Sequence, residues 1–467
     1  MATRDSTRRV LLITLNGVSY DLLASLGKSD VMPNVGRLLN SASFARLNPI
    51  YPLSEVNATA TLQTGVGPGM HGLIDEQYLD HHSRKILPQN AHRSAWPTIA
   101  QVVANAWPGA ATVKINDSDL ANFGWTDRPK NIEQLRERTT QVNLAMEQTF
   151  AAAQKIDSAK VWRLLEVQLT SLEHLQYHHR HLFGIDGGPG GNRQWTAETQ
   201  KALSAIDNCF GQLTELAQRR DASAIIASGY GFVPAREKIT LSELLNRQKL
   251  LTMTSGASTI SYRMSRLKLQ AQRSIVGKFS HIDRLGQTVG NIMPIDWHRS
   301  RALTFHGKQS ALIYLNTPER FGTRLLTTLA SQEETAAEVM STFREAKHPV
   351  THEPLFDDVF LTAERFDCDP LGLFLPEVIA TPAPGFHTRH RPDRLGHLLR
   401  STPSLTSTRG GKGLMIAIGQ RKNIELSNTS DLSHVTPLVL RLLGIDPPTS
   451  LQTNNKPSSA ECSKLAQ

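Results

Sequence analysis

The stretch Val10-Leu11-Leu12-Ile13-Thr14-Leu15, followed by Asn16-Gly17, decides the fold prediction. An apolar run that ends in a turn-forming pair is typical of a strand buried on both faces of a parallel sheet. Short apolar runs recur at 224–228 and 414–418, and residues 161–169 are rich enough in β-forming residues for a further strand. Helical patterns lie between them, and the clearest covers 196–219. We therefore predict an α/β fold with a mostly parallel central sheet and helices on both faces.

The composition narrows the class of protein. The chain has 467 residues, of which 39% are hydrophobic and 20% are charged, and this excludes collagen-like and wholly disordered chains. Its three cysteines are too few and too scattered for a disulfide framework or a Cys-rich zinc site. The first apolar run is too short for a signal peptide, and no run is long enough to span a bilayer. We expect a cytoplasmic protein without a membrane partner.

The alternation of strands and helices is interrupted between residues 252 and 370. We interpret this segment as an inserted cap or lateral subdomain, with its own strand at 310–315. The core then consists of 8–251 and 371–448, and the polar segment 449–467 is predicted to be a disordered tail.

Basic residues are concentrated in the first part of the insertion. Residues 252–301 contain eight Lys or Arg and two Asp, which supplies six of the net charges in a total of +9. The simplest interpretation is a solvated face of the subdomain. A nucleic-acid-binding module is a weaker alternative, because no aromatic residues alternate with the basic ones.

Several polar residues follow the predicted strands, at the edge where open parallel sheets bind ligands. They include Asn16, the His-rich segment 171–181, which we interpret as a loop, and the pair Gly229-Tyr230. We expect them to converge on one cleft.

A helix predicted to begin at Ser54 and Glu55 and to end at Gly65 adds an anion site, since its first N–H groups are free. Ser54 can act as a nucleophile or as the N-cap of this helix, and its position favours the cap. Asn57 can donate to an oxyanion or lie on the helix surface.

Five segments in this order resemble the alkaline phosphatase superfamily, and most closely its type I phosphodiesterase/nucleotide pyrophosphatase branch. They are residues 12–17, 32–38, 52–72, 226–232 and 431–445. The resemblance implies an alkaline-phosphatase-like three-layer sandwich with an inserted cap subdomain.

The resemblance also implies a site. Active members hold two metal ions, usually zinc, that activate an alkoxide nucleophile and stabilise the leaving oxygen. Carried over by position, the strand-end Asp falls on Asn16 and the nucleophile falls on Glu55. The Asp-x-x-x-His motif falls on Glu173 and Tyr177, and the Asp-His pair falls on Gly229-Tyr230. The late His falls on His387, with His390 and His397 close by.

These substitutions predict that the two-metal site has been dismantled. Asn16 is a neutral and weaker ligand, Tyr177 is a poor zinc ligand, and Gly229 offers no side chain. We expect no cofactor or a single divalent metal, and two zinc ions only if the site is intact after all.

The histidines near Glu173 leave an alternative open. His174, His178, His179 and His181 follow one another closely, and Glu173 or His174 could pair with His178 in a rebuilt one-metal site. Further histidines occur at His81 and His82.

Two functional hypotheses follow. The first is a catalytically impaired relative whose cleft binds a small anionic or phosphorylated ligand. The second is an active metal-dependent phosphoester or phosphodiester hydrolase with relocated ligands. The sequence indicates no particular protein partner.

Overall fold

The computed structural model of the protein describes most of the chain. The described residues are 8–80, 85–89, 96–108, 111–120, 123, 125, 128–159, 162–183, 192–254, 287–288, 295–305, 307, 309–366, 375–390, 396–401, 407–419, 426 and 430–448. The predicted tail and most of the basic segment 252–301 lie outside them, as do His81 and His82.

The strands of the described residues are numbered in chain order. They are β1 (Val10–Leu15), β2 (Ser43–Ala45), β3 (Gln77–Asp80), β4 (Lys85–Pro88), β5 (Ala111–Asn116), β6 (Trp162–Leu169), β7 (Ser223–Ser228), β8 (Phe232–Pro234), β9 (Glu237–Thr240), β10 (Gln287–Thr288), β11 (Ala302–Leu303), β12 (Ala311–Leu315), β13 (Phe356–Leu361), β14 (Val378–Pro382), β15 (His387–Arg389), β16 (Leu399–Ser401), β17 (Ser407–Arg409) and β18 (Leu414–Ile418).

The helices are numbered in the same way. They are α1 (Tyr20–Lys28), α2 (Pro33–Ser41), α3 (Glu55–Thr64), α4 (Pro68–His71), α5 (Ile99–Ala106), α6 (Asp117–Leu120), α7 (Ile132–Ala159), α8 (Ser171–His179), α9 (Arg193–Arg219), α10 (Leu241–Arg247), α11 (Pro318–Phe321), α12 (Leu329–Arg344), α13 (Thr362–Phe366) and α14 (Val435–Leu443).

The central sheet has the strand order β2-β18-β7-β1-β6-β5 in the described part of the chain. Strand β1 pairs in parallel with β6 on one side and β7 on the other, and β5 pairs in parallel with β6. Strand β18 is antiparallel to β7. All four predicted strands lie in this sheet, so the prediction of a mostly parallel α/β sheet is confirmed.

Each face of β1 packs against a different layer of helices. Leu11 and Ile13 pack in the apolar core that includes α1, α2, α7 and α9. Val10 and Leu12 pack in the core that includes α3, α5 and α14. Burying one such side chain stabilises the fold by roughly 1.5–3 kcal/mol, which explains why the run tolerates no charged residue.

A second lobe has its own antiparallel sheet, in the order β11-β12-β14-β13, and its own apolar core. The predicted strand at 310–315 is β12. Strand β14 lies beyond the predicted end of the insertion at 370, yet it pairs with β12 and β13. The short apolar segment of β14 carries no information on the strands beside it, which is why the sequence pattern placed it with the core segment 371–448.

Short strand pairings complete the described structure. They are β10-β4-β3, β15-β9-β16 and β17-β8. Within the described ranges, no helix combines the length and the apolar character needed to cross a membrane.

The start of α2 depends on a side chain from α9. Met32, which precedes α2, provides no side-chain cap. The carboxylate of Asp207 replaces it and accepts hydrogen bonds from the backbone N–H groups of Asn34 at 3.0 Å and Val35 at 2.8 Å. Asp207 is buried, so these N–H groups have no access to water as an alternative partner.

We expect Asp207→Ala to lower the free energy of unfolding by about 1–3 kcal/mol, because it leaves buried donors unsatisfied. Urea denaturation measures this change. The matched control is Asn208→Ala, an exposed neighbour on the same helix, which should change stability by less than about 0.5 kcal/mol. Equal losses in both variants would contradict the capping role.

Candidate functional site

The parallel pairing of β1, β6 and β7 brings their carboxyl ends to one edge of the sheet. Leu15 is in register with Leu169, and Thr14 is in register with Ala227. Asn16 therefore lies at the same edge as the start of α8 and as Gly229-Tyr230.

Segment 171–179 is a helix, α8, and not the loop that the sequence suggested. Asp117, fully buried just after β5, holds the first turn of α8. Its carboxylate accepts from the N–H and hydroxyl of Thr170, at 2.9 and 2.7 Å, and from the N–H of Ser171 at 3.0 Å. This anchor sets the position of Glu173, in the first turn of α8.

Ser54 is the N-cap of α3. Its hydroxyl oxygen accepts from the backbone N–H of Asn57 at 2.9 Å, so the capping interpretation is confirmed. Asn57 is fully buried and therefore does not lie on the helix surface. Its amide donates to the carbonyl of Pro52 at 2.7 Å and its oxygen accepts from Thr61 at 3.3 Å, which engages the group that was predicted to donate to an oxyanion.

Glu55 in the first turn of α3 contacts Asn16 across the edge of the sheet. The Asn16 amide donates to Glu55 Oε1 at 3.0 Å. Burial and the negative charge of Glu173 raise the pKa of Glu55 to about 7, against the opposing charge of Arg409. Near pH 7, Glu55 is therefore divided between its neutral and charged forms.

Arg409 at the end of β17 is the cation of this site. Its Nε donates to Glu173 Oε1 at 3.0 Å and its Nη1 donates to Glu76 Oε1 at 2.7 Å. The side chains of Arg409 and Glu173 are 8% and 4% exposed, so this ion pair is shielded from solvent. Burial works to raise the pKa of Glu76, but Arg409 and a hydrogen bond with Asp75 outweigh it and bring the pKa to about 2.

Two tyrosines surround the Arg409 guanidinium. The rings of Tyr177 and Tyr230 have centroids 6.0 and 5.3 Å from its Cζ, within the range of cation–π contacts. The Tyr230 hydroxyl also donates to Glu173 at 3.2 Å. Burial raises the pKa of both tyrosines, more than the charge of Arg409 lowers it, so both phenols stay neutral.

A small cavity adjoins this network at the end of β1. Its volume is about 20 Å³, and its lining includes Asn16, Gln63, Gly229 and Leu432. Such a volume accommodates about one water molecule and not a phosphoester. A Cβ atom at Gly229 would lie 2.9 Å from the Leu432 side chain, so a larger ligand-bearing residue there requires Leu432 to move.

His387 is buried on β15, where it pairs with Lys238 of β9. Burial, together with the charge of Lys238, lowers its pKa to about 3. Among the described residues, neither of its ring nitrogens has a hydrogen-bond partner. No hydrogen bond joins His387 to Asn16 or Glu55 among the described residues, and its place in the cleft stays a prediction.

The histidines of α8 have neighbours of their own. The His174 ring lies against Phe123, with centroids 5.3 Å apart, and His179 Nε2 lies 3.3 Å from an Arg138 nitrogen. His178 is buried. In the part of the chain that the structure describes, no group of three or more His, Cys, Asp or Glu side chains is placed to hold a metal ion.

The residues at the implied ligand positions do not fit two divalent ions. Asn16 directs its N–H, rather than its oxygen, toward Glu55. Glu173 already accepts from Arg409 and Tyr230. The donor set is therefore satisfied internally by hydrogen bonds and one guanidinium.

Arg409 and Glu76 were not predicted as site residues. The sequence around them gives only weak indications of a site. Arg409 precedes Gly410-Gly411 just before β18, and Glu76 follows the turn at Gly72. Arg409 is 236 positions from Glu173 and 333 from Glu76, so no local spacing relates the three residues.

Comparison with solved structures defines the fold class. The chain is similar to phosphonoacetate hydrolase from Sinorhizobium meliloti 1021 in complex with phosphonoformate, with a TM-score of 0.57, 12% identity and coverage of 94% of this chain and 96% of that chain. The complex of the same hydrolase with phosphonoacetate has the same TM-score and 11% identity. Human ectonucleotide pyrophosphatase/phosphodiesterase 5 has a TM-score of 0.51 and 14% identity, with coverage of 98% and 99%. At these identities the likeness concerns the fold, and it confirms the alkaline-phosphatase-like architecture.

A comparison of sequences defines the family. The sequence model of type I phosphodiesterase/nucleotide pyrophosphatase matches residues 10–281, which is more than half of the chain. The chain belongs to this family, as the order of its motifs predicted. No curated protein sequence matches it.

The shifted pKa of Glu55 predicts a pH-dependent effect on stability. Its folded pKa of about 7 lies above the ordinary 4.5, so stability from this group is fully present below pH 4.5 and is lost as pH rises through 7. Glu55→Gln removes the free-energy cost of ionising this carboxyl group in the folded protein. We expect the unfolding free energy of this variant, measured relative to that of the wild type, to be higher at pH 8 than at pH 4.5 by about 1–3 kcal/mol.

Denaturation curves at both pH values measure this gain. The control is Glu137→Gln, an exposed glutamate of α7, whose difference from the wild type should stay constant. A Glu55→Gln difference that does not change with pH would show that Glu55 ionises normally.

Proposed function

We propose that this protein is a catalytically impaired member of the type I phosphodiesterase/nucleotide pyrophosphatase family. One observation carries the proposal: Glu55 stands at the position of the nucleophile, and its carboxyl group accepts a hydrogen bond from Asn16. The hydroxyl of the adjacent Ser54 caps α3. Neither side chain is arranged as an attacking alkoxide beside a metal ion.

The charges at the site support the same proposal. Glu76 and Glu173 contact the Arg409 guanidinium and Glu55 lies near it, so these four described side chains sum to 1 − 3 = −2 when all three glutamates are ionised. A phosphate dianion beside one such carboxylate is repelled by roughly 1–4 kcal/mol per pair of unit charges at about 4 Å, for effective dielectric constants of about 80 to 20. The small anionic ligand suggested by the sequence stays a prediction, and this edge of the sheet does not favour it.

Impaired turnover is therefore what the geometry supports best, and the ligand or partner that the fold binds stays a prediction from the sequence. The cytoplasmic location and the lack of a membrane or nucleic-acid partner likewise stay predictions from the sequence. The relocated-metal hydrolase is the outcome that the experiment below is designed to detect.

We expect the wild-type protein to hydrolyse neither p-nitrophenyl phosphate nor bis-p-nitrophenyl phosphate above the rate in buffer, with or without added Zn²⁺ or Mn²⁺. Phosphonoacetate, named for the structurally similar hydrolase, belongs in the same series. Release of p-nitrophenol, or of inorganic phosphate, is the measurement. Ser54→Ala and Glu55→Gln are the matched variants, and both should equal the wild type.

Turnover by the wild type that Ser54→Ala abolishes would make Ser54 the nucleophile and overturn the proposal. Metal analysis of protein purified without chelator gives a second criterion. Zinc or manganese retained on dialysis in proportion to the protein, together with turnover, would establish the hydrolase with relocated ligands.

A further inference from the structure

The carboxyl edge of the central sheet brings three glutamates together in a setting largely excluded from water. Glu173 of α8 is buried, and Glu55 of α3 and Glu76, which precedes β3, are partly buried. Burying carboxylates without a cation costs several kcal/mol per ion. These carboxylates therefore require a positive charge beside them. Among the described residues, the Arg409 guanidinium provides it.

Arg409 donates hydrogen bonds to two of the three glutamates, and it uses a different nitrogen for each. Nε donates to Glu173, while Nη1 donates to Glu76. A guanidinium is planar, always charged and carries donors in fixed directions, so it can connect two carboxylates that a lysine ammonium would reach less precisely. The rings of Tyr177 and Tyr230 lie against the guanidinium.

The backbone around Arg409 is held in place on both sides. The Ser407 hydroxyl donates to the carbonyl of Gln176 at 2.6 Å, and the Gln176 amide donates to the carbonyl of Gly17 at 2.7 Å. The N–H of Gly410 donates to the carbonyl of Gly231 at 2.9 Å. The guanidinium is thus a built-in part of the edge and not a side chain that enters it from solvent.

We propose that the Arg409 guanidinium replaces the divalent cations of the family as the positive charge of this site. The native protein then folds without metal and holds none between Glu76 and Glu173, because Arg409 occupies their acceptor atoms. This inference rests on the substituted site of the proposed function, but it concerns what compensates the carboxylates and not whether a substrate is hydrolysed.

The test removes the guanidinium and supplies a divalent ion instead. Arg409→Ser leaves Glu76 and Glu173 without their cation, and we expect its melting temperature in metal-free buffer to fall below that of the wild type. Addition of 1 mM Mn²⁺ should raise the melting temperature of the variant by at least about 3 °C and leave the wild type unchanged. Equilibrium dialysis should find about one Mn²⁺ more per chain in the variant, since carboxylate oxygens are suitable ligands for this ion.

The matched control is Arg320→Ser in the second lobe. Arg320 is also buried, but it pairs with one carboxylate, that of Glu377. Its loss should destabilise the protein without any gain from Mn²⁺. Adding Glu173→Gln to Arg409→Ser should likewise abolish the gain, since a carboxamide is a weaker ligand than a carboxylate.

Arg409→Gln, which retains amide donors, is the second variant in case the serine variant does not fold in metal-free buffer. Recovery of soluble Arg409→Ser on refolding with Mn²⁺, but not without it, also supports the proposal. The proposal is wrong if neither Arg409 variant gains stability, solubility or bound ion from Mn²⁺, or if the wild type binds Mn²⁺ equally well. Hydrolysis by the wild type would overturn the proposed function, whereas these measurements test Arg409 alone.

Discussion

Strand β1 is paired in parallel on both sides, with β6 and with β7, and its two faces are covered by helices. The candidate site residues that follow β1, β6 and β7 depend on this arrangement. Parallel neighbours end at the same edge, so the residue after β1, the helix after β6 and the turn after β7 meet there. The first turn of α3 joins them through the contact between Glu55 and Asn16. The pairing and burial of β1 fix where the side chains at this edge lie relative to one another.

The concentration of carboxylates at this edge creates an electrostatic requirement that the fold has to meet. Arg409 meets it and at the same time connects parts of the chain that are distant in sequence. Glu173 belongs to α8, whereas Glu76 leads into β3, and Leu79 of β3 packs in the apolar core of the second lobe. The ion pairs therefore join the central sheet to the second lobe. Buried ion pairs of this kind give little net stability, but breaking one leaves an uncompensated charge in the interior.

Under the proposed function, this protein keeps the fold of its family without the family's chemistry. The fold persists across an identity of only 11 to 14% to the solved structures, because it depends on apolar strands and helix packing. The chemistry depends on a few side chains at the strand ends. Those positions here carry an amide, a glutamate of raised pKa and neutral phenols, which hydrogen-bond among themselves. In our proposal, the site is rebuilt around the Arg409 guanidinium while the surrounding scaffold is retained.

By itself, the sequence determined four strands of the central sheet, because burial on both faces favours apolar and β-forming segments that can be read directly. It also located Asn16, Glu55, Glu173 and Tyr230, since residues that follow parallel strands or begin adjacent helices must reach one edge. The pairing of β14 with the second lobe was decided only by the tertiary structure, because an apolar run does not record the direction of its neighbour. The same holds for the Arg409 ion pairs. Glu173 lies 236 positions away and Glu76 333, and only the folded chain brings a charge and its partners together over such separations.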